Sequence, residues 1–360
     1  NYEVTVLRIK LAILENDKEY IERLTKVFEN KYSNKLQIYA FTNKDSAIKN
    51  INDKDIDIFI ASEKYDIDKE TIPSNCGFAY LVESNDIDVL KEEKTIGKYQ
   101  MADQIYKQVL GIFSEVNSRI VGMNVNSDSK LKIITVLSAA GGVGASTIAS
   151  SIAVRKALSN KRVIYVSLEK FTSTDLYFNG DGIMTFSDVI YALKGKNTNI
   201  QLKLESVVRR DITGVNYYSG CKNALDMEEL NCDDLQRFIE NIQMMDKYDY
   251  MVIDMGLSFS KECQMVMTYS NSINIISDGT QYSNYKMERA IETIKILDKQ
   301  HKESVLPKTH ILYNRFRTDG SEVLERVDIK TLGGIPVYKY ANMQQLIQQI
   351  ATMEVLDTVI

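Results

Sequence analysis

Residues Lys132–Leu158 read KIITVLSAAGGVGASTIASSIAVRKAL, and the order of chemistry along them decides the fold. Ile133-Ile134-Thr135-Val136-Leu137 is a continuous apolar run of buried-strand type. From Ser146 onward, Ile148, Ile152 and Leu158 fall at helical spacing. Between the two lie Gly141, Gly142, Val143, Gly144, Ala145, Ser146 and Thr147. A strand, a glycine-rich turn and a helix start together predict a phosphate site. Glycines let backbone N–H groups come close to an anion, and the helix dipole favours negative charge there. The alternative is a tight strand-to-helix turn that holds no ligand.

Downstream, Arg162–Val166 (RVIYV) reads as the next strand and runs into Ser167-Leu168-Glu169-Lys170. Tyr248–Gly256 (YDYMVIDMG) is an apolar strand that ends in Asp254. A carboxylate placed there, one strand-helix-strand unit beyond the loop, sits beside it and can hold Mg²⁺. Ser272–Ile276 is a further strand, Tyr282–Lys299 a helix, and His310–Arg315 (HILYNR) a strand ending in Asn314-Arg315. Gly334–Tyr338 (GIPVY) reads as the last strand, and Asn342–Leu356 as a packed terminal helix with no Lys or Arg after Lys339.

The loop resembles the deviant Walker A loop of the ParA/MinD family of P-loop ATPases. That loop carries one lysine before its Gly-Gly pair and another before its Ser/Thr pair; here both positions are alanine, Ala140 and Ala145. The resemblance implies ATP and Mg²⁺ as ligands. Ser146 and Asp254 would hold the metal, Thr147 would reach the α-phosphate, and loop residues 141–147 would cradle the phosphates. The family's Asp-x-Asp pair is replaced by Ser167 and Glu169. Glu169 either positions the attacking water or is an exposed strand-end acid. Lys170 is either a surface charge or a partial stand-in for a missing lysine. Asn314, with Arg315, stands where the family binds the adenine edge, a task suited to an amide because it offers a donor and an acceptor. A helix cap is the other reading of Asn314. Pro336 and Val337 would line the base pocket.

The first part of the chain alternates strand and helix: Lys10–Leu14, helix Asp17–Phe28, Leu36–Phe41, Ile56–Ala61, Phe78–Val82, Thr95–Lys98 and helix Met101–Ile120. Such alternation predicts a parallel sheet covered on both sides. It resembles a response-regulator receiver domain, which needs acids after its first strand and an aspartate after its third. Glu15-Asn16-Asp17 keeps some acid, whereas Ser62 stands at the phosphoacceptor position and cannot form an acyl phosphate. Lys98 matches the receiver's lysine or is a solvated surface charge. The expected organisation is α/β in two domains: a flavodoxin-like atypical receiver at 1–122, a linker at 123–130 within the polar stretch VGMNVNSDSK, and a P-loop NTPase domain at 131–360. An atypical receiver joined to a ParA/MinD-type domain whose loop reads GGVGAST resembles the TadZ/CpaE family. That resemblance implies an ATP-binding homodimer that localises type IVb (Tad) pilus assembly components, in the cytoplasm and at a cell pole. With both loop lysines absent, ATPase activity is expected to be weak or absent.

Composition bounds these readings. At 360 residues there is length for two cores, and 44% hydrophobic with 26% charged residues is ordinary for a globular chain. A net charge of −5 argues against nonspecific nucleic-acid binding, and Arg209-Arg210 is the only adjacent arginine pair. No apolar run is long enough for direct membrane insertion. Cys76, Cys221, Cys232 and Cys263 have no CxxC or metal spacing and read as reduced thiols. An active positioning ATPase that cycles on DNA or membrane, and an adaptor that binds no nucleotide, are the competing functions.

Overall fold

Short apolar runs separated by amphipathic helices must bury both faces of a parallel sheet, and the chain builds two such sheets. The computed structural model describes residues 8–116, 131–195, 198–301, 304–325, 328–339 and 342–360. The expected linker and the end of the expected helix Met101–Ile120 lie outside them. The described residues fall into two units, one within Asn1–Asn124 and Ala192–Val207, the other within Val125–Tyr191 and Val208–Ile360.

The first unit holds strands β1 (Ile9–Leu14), β2 (Leu36–Phe41), β3 (Ile58–Ser62), β4 (Gly77–Val82), β5 (Val89–Leu90) and β6 (Glu93–Gly97) in the order β2-β1-β3-β4-β6-β5. Apart from the β5–β6 hairpin the pairings are parallel, which is the flavodoxin-like order of a receiver. Helix α1 (Lys18–Tyr32) starts at Asp17, whose side chain accepts from the Tyr20 N–H at 3.0 Å, and it buries Ile21, Leu24 and Phe28. Helix α2 (Lys44–Asp53) covers the opposite face with Ala47 and Ile51. Helix α3 (Ala102–Val116) buries Ile105, Val109, Ile112 and Phe113 beside α1.

At the strand ends, Lys98 is buried rather than solvated. Its Nζ lies 3.3 Å from Glu15 Oε2 and 3.3 Å from Asp17 Oδ2. Ser62 closes β3 and is buried too. Two carboxylates thus face one ammonium, with a neutral hydroxyl where a receiver has its third acid.

A helix from much further along the chain, Ile200–Val207, completes this unit. Its Leu202 joins the core cluster of Val109, Ile112 and Phe113. Lys203 is buried with its Nζ 3.0 Å from Glu115, Lys35 pairs with Glu205 at 2.8 Å, and the Asn199 N–H donates to the Ser114 carbonyl at 2.9 Å. The sequence reading placed these residues inside a contiguous second domain, 131–360. They pack instead with the first unit, because the apolar face of α3 needs a cover that its own neighbours do not supply.

The second unit contains β7 (Lys132–Leu137), β8 (Val163–Ser167), β9 (Arg209–Arg210), β10 (Asn216–Tyr217), β11 (Tyr250–Asp254), β12 (Ser272–Ser277), β13 (Thr309–Phe316) and β14 (Lys330–Pro336). Their order is β14-β13-β12-β7-β11-β8-β10-β9, parallel except for β9–β10. Helix α4 (Ala145–Leu158) follows β7 and buries Ile148, Ala149, Ile152 and Ala153. It is apolar on more than one face because the sheet lies on one side and the helix Met343–Ala351 on the other. That helix begins with a capping box between Asn342 and Gln345. It ends at Ala351, earlier than the expected Leu356, and a 3₁₀ turn, Glu354–Thr358, follows. Asp357 then takes the Arg155 guanidinium in two bonds of 2.8 and 2.5 Å. β14 stops at Pro336, so Val337 lies just past the strand. Among the described residues no helix is long and apolar enough to cross a membrane.

If Leu202 is a core residue of the first unit, Leu202→Ala costs about 2–5 kcal/mol in urea unfolding. A change below about 0.5 kcal/mol would place that helix on the surface.

Candidate functional site

The loop that follows β7 must turn the chain from the middle of the sheet into α4, and glycine geometry makes the turn. Gly142 and Gly144 take φ of +81° and +85°, in the left-handed region. A Cβ on Gly141 or Gly142 would meet nothing within 4 Å, so the loop is open on that side. On Gly144 it would lie 2.5 Å from Asn314 Nδ2. Gly144 also stands at the N-cap of α4, and no side chain caps the helix start. The first N–H groups of α4 are therefore left for another acceptor. Successive N–H groups around left-handed residues at an uncapped helix start form an anion nest.

Asn314 and Arg315 brace this loop from outside. Asn314 is 3% exposed, and its Nδ2 donates to the Val143 carbonyl at 2.8 Å. Arg315 bends back at φ +54°, and its Nη1 donates to the Gly142 carbonyl at 3.0 Å. Asn314 is no helix cap, since β13 runs on to Phe316. The end of β13, two strands from β7, lies against the loop, and the amide nitrogen is engaged by a loop carbonyl. Pro336 is exposed at the end of β14 and Val337 is half-buried beside it, on the same edge of the sheet as Asn314.

Three other predicted residues come together. Asp254 ends β11, between β7 and β8. Its Oδ2 accepts from the Tyr165 hydroxyl at 2.8 Å, while its buried Oδ1 has no hydrogen-bond partner among the described residues. Burial, and secondly the charge of Glu169, pushes its carboxyl up to about 7; the hydroxyls of Tyr165 and Ser146 pull the other way. Ser146 Oγ donates to Glu169 Oε2 at 3.3 Å, so Glu169 faces the loop helix and is not an isolated strand-end acid. Lys170 turns away to pair with Glu228 and does not replace a loop lysine. Ala140 and Ala145 are buried methyls. Arg209 is likewise spent internally, donating to the Met184 carbonyl at 3.0 Å and lying 3.7 Å from Asp175.

The donor set fits a hard divalent cation. Asp254 Oδ1, a carboxylate oxygen left bare in the interior, and the Ser146 hydroxyl are oxygen ligands of the kind Mg²⁺ takes. Among the described residues no cluster of three His, Cys, Asp or Glu side chains is placed to hold a metal. A cation here would need phosphate oxygens from a nucleotide to complete its shell. A cavity of about 770 Å³ opens beside Glu169, lined by Leu168, Phe171, Met227 and Met255. Sequence reasoning missed Tyr165, although a tyrosine inside the apolar run RVIYV is itself a signal, because a buried hydroxyl must find an acceptor.

Residues 7–114 match the receiver-domain model of TadZ-like proteins, and residues 131–306 match an AAA-domain model. No curated protein sequence matches the chain. Among solved structures, a ParA family ATPase from Chlorobium tepidum aligns with a TM-score of 0.51 at 18% identity, covering 64% of this chain and 96% of its own. A MinC:MinD cell division complex from Aquifex aeolicus gives 0.49 at 16% identity, covering 63% and 94%. The first of these establishes the ParA-type fold of the second unit.

The raised carboxyl of Asp254 sets a stability prediction. Folded, it stays protonated to about pH 7, whereas unfolded it ionises around its ordinary 3.8. The folded state then binds the extra proton, so its contribution is intact below about pH 4 and lost as pH rises toward 7. Asp254→Asn should therefore melt above the parent at about pH 8, by up to ~4 kcal/mol in stability, and match it at about pH 4. Equal melting at both pH values would contradict the burial of an unpaired carboxylate oxygen.

Proposed function

The chain belongs to the proteins that join a TadZ-like receiver domain to a ParA/MinD-like AAA domain, and from that premise we propose a nucleotide-held platform. It binds ATP with Mg²⁺, pairs with a second copy, hydrolyses ATP slowly or not at all, and positions components of a type IVb (Tad) pilus, in the cytoplasm at a cell pole. The observation that supports this most is the bare Asp254 Oδ1, held next to Ser146 beneath a loop with two left-handed glycines and an uncapped helix start.

In this reading the N–H groups of residues 141–147 receive the phosphates and the Thr147 hydroxyl reaches the α-phosphate. Ser146 Oγ and Asp254 hold the cation, and Glu169 orients water. Pro336 and Val337 flank the base, while Asn314 and Arg315 keep the loop in shape. Mg²⁺, when bound, supplies positive charge against the phosphate oxygens. What the chain lacks is the rest of that charge. Alanines stand at both lysine positions, Lys170 is paired elsewhere, and the guanidinium of Arg315 is bonded to a loop carbonyl. Removing a transition-state cation of the arginine-finger kind costs about 10³-fold or more in rate, whereas the nest and the metal ligands still favour binding. The first unit, with Ser62 for the acceptor acid and Lys98 ion-paired inside, serves as a docking module rather than a phosphate carrier.

Calorimetry of ATP with Mg²⁺ tests this. The parent binds, Gly144→Val does not because its side chain meets Asn314, and turnover stays at least ~10³-fold below that of an active NTPase. Mass in solution rises to that of a dimer with ATP. No binding at millimolar ATP would favour the adaptor reading, and brisk turnover abolished by Asp254→Ala would favour an active positioning ATPase.

A further inference from the structure

We infer that Tyr165 is the positioning residue that keeps one oxygen of Asp254 open for a cation, by holding the other. The inference rests on the Mg²⁺·ATP reading of the site and names a residue that neither the loop nor the strand-end acids announce.

The register of the sheet makes the contact. β8 and β11 run parallel with Tyr165 opposite Val252 and Ser167 opposite Asp254. Side chains two apart on a strand share a face, so Tyr165, Ser167 and Asp254 all point to the side that α4 covers, with Tyr165 on the diagonal from Asp254. A tyrosine on that diagonal is long enough to put its hydroxyl at the neighbouring strand's end, and the O–H donates to Asp254 Oδ2 at 2.8 Å with both groups buried.

The ring has little freedom to leave. Tyr165 is fully buried and meets Phe178 edge to face with centroids 5.1 Å apart, and Phe178 packs in turn on Tyr217 at 5.3 Å. The hydroxyl is therefore a fixed donor, and a fixed donor on one oxygen sets the plane of the carboxylate. Untethered, the carboxylate could rotate about Cβ–Cγ and direct either oxygen to the Ser146 hydroxyl, removing a ligand and occupying its partner in one turn. Bound by Tyr165, it presents an Oδ1 with no hydrogen-bond partner among the described residues, near the Ser146 hydroxyl. Second-layer donors that orient a metal-binding carboxylate typically account for about 10- to 100-fold in metal affinity.

The bland role for Tyr165 is core packing, and a split measurement separates the two. In the 360-residue chain, Tyr165→Phe keeps the ring and removes only the hydroxyl. Calorimetric ATP affinity is measured with Mg²⁺ and again with EDTA. The gain in affinity that Mg²⁺ confers should fall about tenfold or more, while affinity in EDTA stays within about twofold of the parent. In an Asp254→Asn background the same change should have no further effect on the Mg²⁺-linked gain. Should Tyr165→Phe fail to fold, Phe178→Leu, which loosens the ring and keeps the hydroxyl, shows the same split in smaller measure. An undiminished Mg²⁺ gain, or equal losses with and without Mg²⁺, overturns the inference and leaves Tyr165 as packing. A parent chain that binds ATP under neither condition overturns the nucleotide reading itself, and this inference with it.

Discussion

A glycine caught between strand and helix is the constraint on which the second unit depends. Gly144 sits at φ +85°, where side chains are rarely tolerated, and Asn314 rests where its Cβ would be. The two facts lock each other. The left-handed turn lets α4 start directly under the end of β7, and the asparagine that fills the space ties the loop to β13 through the Val143 carbonyl. The positions of the loop N–H groups, of Ser146 on the first turn of α4, and of the strand ends beside it all follow from that clasp.

The strand ends carry a cost the fold does not need for its own stability. Asp254 is buried with its Oδ1 unpartnered among the described residues and its carboxyl raised to about 7, at the end of the apolar strand β11. Such strain concentrates at sites kept for ligands. The rest of the unit is arranged to tolerate it. α4 offers small and branched residues, Ile148, Ala149, Ile152 and Ala153, so the helix lies close on the sheet, and the Tyr165 hydroxyl donates to the carboxyl at 2.8 Å. In the first unit the comparable corner is neutralised from within, because Lys98 is buried between Glu15 and Asp17.

Much of this was legible in the chain because it is local. The run Ile133–Leu137, the glycines after it and the helical spacing of Ile148 and Ile152 specify β7, the loop and α4 without reference to anything distant. Asp254 was legible from its place at the end of an apolar run, and Ser62 from its place at the end of another. What was not legible depends on contacts across the chain. The partner of Asn314 lies 171 residues away, so its side chain could be assigned a family role but not its actual acceptor. Helix Ile200–Val207 is unremarkable by itself; only the apolar face of α3, far upstream, says where it packs. The β5–β6 hairpin escaped because its turn uses Lys91 and Glu92 at positive φ, 51° and 66°, where Asn or Gly would have signalled it.

The central claim is that the loop, Ser146 and Asp254 form one Mg²⁺·nucleotide site, and a crystal structure grown with a nonhydrolysable ATP analogue and Mg²⁺ tests it most directly. The account predicts phosphates on the N–H groups of residues 142–147, with the cation about 2.0–2.1 Å from Ser146 Oγ. Asp254 Oδ1 would turn to the cation or to one of its waters, and the Tyr165–Asp254 bond would be kept. Nucleotide bound away from the loop, or a loop left bare with Asp254 Oδ1 still unpartnered, would contradict it.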